Sequence, residues 1–135
     1  MIHGNKLIEI RKTDFVNKGS ELMLYAIIEK MKKEFPDAKF AMVPKTSSST
    51  PYEKRALLGF YQKVHFWRKG MQFGVFANFI PKQIREMYGL VLDKELDIVI
   101  DSSGFSYSDH CGKYNCLELA NSCKRWKKNG AKIIL

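Results

Sequence analysis

Apolar residues in this chain come in short clusters, and the spacing within each cluster predicts its element. Lys6 to Arg11 (KLIEIR) alternates in part and stops at polar Lys12 and Thr13, which predicts a short strand. From Ser20 to Glu34, Leu24, Ile27, Ile28 and Met31 recur at helical spacing, while Glu29, Lys30, Lys32 and Lys33 fall mostly on the other side. The helix is expected to end before Pro36, because Phe35-Pro36-Asp37 is a turn signal. Lys39 to Val43 then reads as a second strand, completing a βαβ unit.

Pro44 to Pro51 is polar, with Ser47, Ser48, Ser49 and Thr50 at its centre, and is expected to be an exposed loop. Between Tyr52 and Phe79, Phe60, Tyr61, Phe66, Trp67, Phe73 and Phe76 crowd among basic residues, interrupted by Gly59, Gly70 and Gly74. A helix is placed near Glu53 to Gln62, and another from Asn78 or Pro81 to Tyr88 with Gly89 at its C′ position. Leu96 to Ile100 (LDIVI) reads as a buried strand running into a polar tip, Asp101-Ser102-Ser103-Gly104. Asn115 is a candidate cap for a helix from Cys116 to Lys128, with Cys116, Leu119, Ala120, Cys123 and Trp126 facing inward and Asn129-Gly130 closing it. Ala131 to Leu135 is the last strand. Strands alternating with helices predict an α/β fold: a parallel sheet of four strands, covered on both faces and joined by right-handed crossovers.

Composition narrows this reading. A chain of 135 residues with 45% apolar residues has the size of one ordinary domain and enough hydrophobic surface to build a core. No stretch approaches the length of a membrane span, and MIHGNKLIEIRK carries charges where a secretory signal is apolar, so the chain reads as cytoplasmic. Cys111, Cys116 and Cys123 are odd in number and fit reduced thiols; with His110 they match no usual zinc spacing, so no metal is expected. Net charge is +9, with clusters at Lys30, Lys32 and Lys33, at Lys54 and Arg55, at Arg68 and Lys69, and from Lys124 to Lys128. Two readings stay open for these clusters. One is solvated helix faces and C-terminal turns. The other is contact with an anionic partner: a phosphorylated small molecule, an acidic glycan, nucleic acid or peripherally an anionic membrane.

Ligands of an open parallel sheet bind beyond the carboxyl ends of its strands, where two polar loops lie. The first, Thr13 to Ser20, passes through Asn17-Lys18-Gly19-Ser20 into a helix N-terminus, which suits an anion or simply caps the helix. The second runs from Asp101 to His110 and mixes hydroxyls, carboxylates, Phe105 and Tyr107, as sugar binding does. Asp101, Asp109 and His110 are candidate proton acceptors there, and Ser103, Gly104 and Tyr107 candidate substrate contacts. Alternatively, Asp101 and Ser103 tie down the loop through local hydrogen bonds. Replacing Asp101 with Asn is expected to weaken acceptor binding and keep stability within about 1 kcal/mol.

NKGSELML and LDIVIDSSGFSYSDHCG together resemble the paired motifs of the polysaccharide pyruvyl transferase family. The matching positions are Asn17, Gly19, Ser20 and Glu21, then Asp97, Ile100, Ser102, Ser103, Gly104, Phe105, Tyr107 and Asp109. QFGVFANFIPKQIREMYGLV, with Pro81, Ile84, Arg85 and Gly89, is similar to the segment before that strand in some bacterial members. The resemblance implies a Rossmann-like N-terminal half of a two-domain, GT-B-like enzyme. It also implies transfer of the enolpyruvyl part of phosphoenolpyruvate onto two sugar hydroxyls as a ketal, in surface polysaccharide synthesis. Phosphoenolpyruvate is then a donor substrate, and no cofactor is required. The family's donor-binding residues come largely from a second domain, and the sequence stops before the Pro-Gln-x-x-Gly-Pro-like segment that follows a strand such as AKIIL. The resemblance therefore implies that residues 1–135 are one Rossmann-like domain on the acceptor side of an incomplete cleft. Two competitors remain: a GT-B glycosyltransferase using a nucleotide sugar, and a nonenzymatic basic module that binds nucleic acid or anionic glycan through Lys/Arg clusters and the Phe60, Tyr61, Phe66 and Trp67 group.

Overall fold

The computed structural model describes residues 5–44, 49–68, 71–102 and 113–135. β1 (Leu7–Arg11) leads through a short loop into α1 (Lys18–Glu34), followed by β2 (Lys39–Met42), α2 (Tyr52–Leu57) and β3 (Tyr61–Lys63). β4 (Trp67–Arg68) and β5 (Met71–Gln72) form a small antiparallel pair, and a 3-10 helix (Phe73–Phe79) leads to α3 (Lys82–Met87). β6 (Leu90–Val91), a 3-10 turn (Asp93–Glu95), β7 (Ile98–Asp101), α4 (Lys113–Lys128) and β8 (Lys132–Ile134) complete the chain.

Six strands form a parallel sheet in the order β6-β3-β2-β1-β7-β8, flanked by helices in a Rossmann-like α/β arrangement. The chain builds outward from β1 to β6, then crosses back to place β7 on the other side of β1. The strand order therefore reverses between β1 and β7, the position at which such sheets open a crevice at their carboxyl ends.

Side-chain alternation divides the sheet into two unlike faces. Ile8, Ile10, Phe40, Met42, Ile98 and Ile100 point to one face, where Leu24, Ile27, Ile28 and Met31 of α1 cover them. On the other face, Ala41, Val91, Leu96 and Val99 pack with Trp126, Leu119 and Cys123 of α4. Glu9 and Arg11 have the same parity as Leu7, so β1 sends two charged side chains under α4, Glu9 fully buried and Arg11 largely so.

The two parallel strands beyond the four expected are the short β3 and β6. The helix expected over Glu53 to Gln62 stops at Leu57, because Gly59 turns the chain at φ 71° and Phe60 enters the core against Phe40. Tyr61 to Lys63 then pairs with β2. α1 begins at Lys18 with Asn17 as its cap, two residues earlier than the apolar pattern indicates. α4 begins at Lys113, so Asn115 lies within its first turn and does not cap it. Leu119, Cys123 and Trp126 face the core as expected, but Cys116 and Ala120 are exposed. β8 is an edge strand among the described residues, bonded only to β7. Among the described residues no helix is long and apolar enough to cross a membrane.

Candidate functional site at the carboxyl edge of the sheet

At the carboxyl ends of β1, β2 and β3, on the α4 side, lies a cavity of about 320 Å³. β1 and the residues after it contribute Glu9, Ile10, Arg11, Lys12 and Thr13, β3 and its continuation Lys63 and His65, and α4 Tyr114, Asn115 and Glu118. Lys12 adopts φ 61°, a left-handed conformation that is uncommon outside glycine, at the point where β1 ends on the cavity wall.

A closed ring of polar contacts surrounds the Trp126 indole beneath this cavity. Lys63 Nζ donates to Glu9 Oε2 at 2.6 Å and lies 2.7 Å from Asp93 Oδ1. Asp93 accepts from Arg125 Nε and from Trp126 Nε1, each at 2.8 Å. Arg125 Nη2 donates to Ser122 Oγ, which donates to Glu118 Oε1. Arg11 Nη2 donates to both Glu118 oxygens at 3.0 Å, and Arg11 Nε lies 3.9 Å from Glu9 Oε1, closing the ring. Arg11 and Lys63 also sit 4.8 Å and 5.1 Å from the centre of the Trp126 ring, within cation–π range.

The electrostatics follow from this burial. Burial pushes the Glu9 carboxyl above its ordinary value, more than Lys63 and Arg11 pull it down. Asp93 is also pushed up by burial, but Lys63, Arg125 and Trp126 outweigh that and hold it at about 2. Burial, then the Lys63 charge, lowers the His65 imidazole.

Not every polar atom here is satisfied. Glu9 is 0% exposed, Thr13 2% and the Arg11 side chain 9%, yet Glu9 Oε1, Arg11 Nη1 and Thr13 Oγ1 have no hydrogen-bond partner among the described residues. All three residues line the cavity. Buried polar atoms are almost always paired, so three lining residues of one cavity that each hold a buried atom with no hydrogen-bond partner among the described residues single out this end of the sheet.

Asp101 reaches this neighbourhood from β7, where its carboxylate is buried with Oδ2 3.5 Å from Arg11 Nη1. It stands behind Arg11 and not on the cavity wall. Ser103, Gly104, Phe105, Tyr107, Asp109, His110 and Cys111 lie outside the described residues. The loop of Asn17 to Ser20 is elsewhere and internally satisfied. Asn17 Oδ1 accepts from the Gly19 and Ser20 amides, Ser20 Oγ accepts from the Asp14 amide, and Lys18 pairs with Glu21 at 2.9 Å. None of these four residues lines the cavity. Asp97 lies at the opposite end of the sheet, where its carboxylate accepts from the Leu7 amide and pairs with Lys6. The aromatic group is dispersed: Phe60 is core, Tyr61 is half-buried beneath Lys39, and Phe66 is exposed. Among the described residues no group of three or more His, Cys, Asp or Glu side chains is placed to hold a metal.

Sequence reasoning passed over Glu9, Arg11, Lys63, His65 and Glu118. A signal was present in KLIEIR: a strand covered on both faces buries every side chain, so charges at alternate positions must be paired inside. Comparison with protein-family models, curated proteins and solved structures finds no match to this chain, so the family resemblance rests on the motif residues alone.

Proposed function

We propose that this chain binds a neutral, polyhydroxylated acceptor of the sugar type in the carboxyl-edge cavity. In this reading it is the Rossmann-like acceptor half of a cytoplasmic, GT-B-like transferase of the pyruvyl transferase kind. The carrying observation is a carboxyl-edge cavity lined by Glu9, Arg11 and Thr13, each of which holds a buried polar atom with no hydrogen-bond partner among the described residues. A carboxylate accepts, a guanidinium donates and a threonine hydroxyl does both, which is the set that neighbouring sugar hydroxyls satisfy. The cavity is at the lower end of the size range of small-molecule sites. Tyr114, 87% exposed at its rim, can lie against an apolar sugar face, whereas Arg11 and Lys63 already occupy the Trp126 ring.

Charge separates acceptor from donor. Arg11 already has Glu118 and Asp101 as counterions, and Lys63 has Glu9 and Asp93. A phosphate or carboxylate entering here meets cations that are already neutralised, together with the Glu9 and Glu118 carboxylates, so phosphoenolpyruvate is not expected in this cavity. The transfer reaction itself is supported by the sequence motifs, and the donor site belongs to residues outside this cavity.

The test is calorimetric titration of the full chain with methyl glycosides, phosphoenolpyruvate and a nucleotide sugar in parallel. Binding of a neutral glycoside that is lost in Arg11→Met supports the acceptor site. Preference for the nucleotide sugar favours the glycosyltransferase instead. Mass-spectrometric detection of a pyruvate ketal on the glycoside, with phosphoenolpyruvate and the native protein from its source cells, decides the chemistry.

A further inference from the structure

Most basic residues of α1 and α3 are answered by a carboxylate about one turn away. Lys18 pairs with Glu21 at 2.9 Å, Lys30 with Glu34 at 2.9 Å, Lys33 with Glu29 at 2.7 Å and Lys82 with Glu86 at 3.7 Å. The outer face of α4 is different. Lys124, Lys127 and Lys128 are exposed there and have no ion pair among the described residues. The only carboxylate of the helix, Glu118, is turned inward onto Arg11, so no acidic side chain offsets the charge of this face. Arg125 belongs to the inner side, where Asp93 holds it at 2.8 Å. The helix dipole accounts for cations in the last turn, but Lys124 stands before that turn.

The same face begins with exposed apolar side chains, for Tyr114 is 87% and Leu117 58% open to solvent. Tyr114, Leu117, Asn121, Lys124 and Lys128 follow one another at alternating spacings of three and four residues, which puts them in a single stripe along the helix. We infer that this stripe docks on an anionic lipid surface, with Tyr114 and Leu117 entering the headgroup region and Lys124, Lys127 and Lys128 lying against the lipid phosphates. The unanswered positive charge selects an anionic partner. The apolar start of the stripe selects a lipid surface over a nucleic acid, because a phosphodiester backbone gives a leucine nothing to pack on. Bilayer binding of a surface helix combines buried apolar area with attraction to anionic lipid, and this face supplies both. Each lysine at such a surface strengthens partitioning about fivefold, or about a hundredfold for the three together, and the attraction is screened by salt. Tyr114 also lines the carboxyl-edge cavity, so docking brings the cavity rim to the level of the headgroups. The surface lies outside the cavity, and the inference stands whether or not the cavity takes a sugar.

The test is sedimentation of the full chain with sucrose-loaded vesicles, made of phosphatidylcholine alone or of phosphatidylcholine and phosphatidylglycerol in equal parts. The expected result is binding to the mixed vesicles only, lost as sodium chloride is raised. The triple variant Lys124→Gln, Lys127→Gln and Lys128→Gln should reduce partitioning about a hundredfold. The matching variant Lys30→Gln, Lys32→Gln and Lys33→Gln removes the same charge from α1 and should leave partitioning nearly unchanged. Leu117→Ser should weaken vesicle binding severalfold. Circular dichroism checks that each variant keeps its fold, as is expected for side chains on the exposed faces of helices. Failure to bind the mixed vesicles, or equal binding to both kinds, overturns the inference. Equal losses in the two triple variants also overturn it, since they would assign the attraction to overall charge and not to α4. Binding of a single-stranded oligonucleotide at an ionic strength that releases the vesicles, indifferent to Leu117→Ser, would overturn the lipid surface in favour of a nucleic acid.

Discussion

Lys63 shows what a buried charge costs and what it holds. Its ammonium has almost no contact with solvent and bridges Glu9 and Asp93, so removing it strands two carboxylates in a low-dielectric interior. Lys63→Ala should destabilise the fold by about 3–5 kcal/mol, the range for breaking a buried pair, as read by urea denaturation. Asp101 belongs to the same class. Its burial beside Arg11 revises the expectation that Asp101→Asn stays within about 1 kcal/mol, and a loss of about 1–3 kcal/mol is predicted, as for an unsatisfied buried group. The pH dependence of stability has two opposed parts. Asp93 is held at about 2 against an ordinary 3.8, so its contribution is complete above 3.8 and lost as pH falls toward 2. Glu9 is raised above 4.5, so its ionisation costs stability as pH rises from 4.5 through its folded value. Thermal denaturation at a series of pH values should show Asp93→Asn less stable at neutral pH and less sensitive to acid between 3.8 and 2. Equal acid sensitivity in the two proteins would place the acid-labile contact elsewhere.

Among the elements, the long ones were legible because their apolar residues recur often enough to fix a period. α1, β1, β2, β7 and the core side of α4 at Leu119, Cys123 and Trp126 all follow the pattern in the sequence. β3 and β6 did not, since strands of three and two residues carry no period and owe their existence to pairing with β2 and with each other. Phe60 and Tyr61 misled for the same reason, reading as an extension of α2 until Gly59 reverses the chain. Gly59→Ala should cost about 1 kcal/mol, because it places a Cβ on a residue at positive φ. The start of α1 makes a sharper distinction. Asn17 satisfies two helix amides through its own oxygen, so Asn17→Ala should cost about 1 kcal/mol of stability and leave glycoside affinity unchanged. A loss of glycoside affinity at unchanged stability would instead return this loop to the binding site.

At the scale of the whole molecule, the fold places the reversal of strand order, the strained Lys12 and the unpaired polar atoms of β1 at one end of one face of the sheet. The sheet class was readable from the order of elements, and the cavity lies at the carboxyl edge of that sheet. The site's residues were not, because Glu9, Lys63, Asp93 and Glu118 are scattered in sequence and meet only when β3 and α4 are brought against β1. Asp101 drew notice because it ends a strong strand, and its buried carboxylate lies beside Arg11 and off the cavity wall. The neutralised state of the cavity's cations also sets the expected ligand class: a hydroxyl-rich molecule ahead of an anion, even though the chain as a whole carries +9. Heteronuclear NMR of the isotopically labelled chain, titrated with methyl β-D-galactopyranoside, tests this claim most directly. The predicted result is shift changes at Glu9, Arg11, Thr13 and Tyr114 with Asn17 to Glu21 unmoved. Changes confined to Asn17 to Glu21, or none with the glycoside while phosphoenolpyruvate moves Arg11 and Lys63, would contradict it.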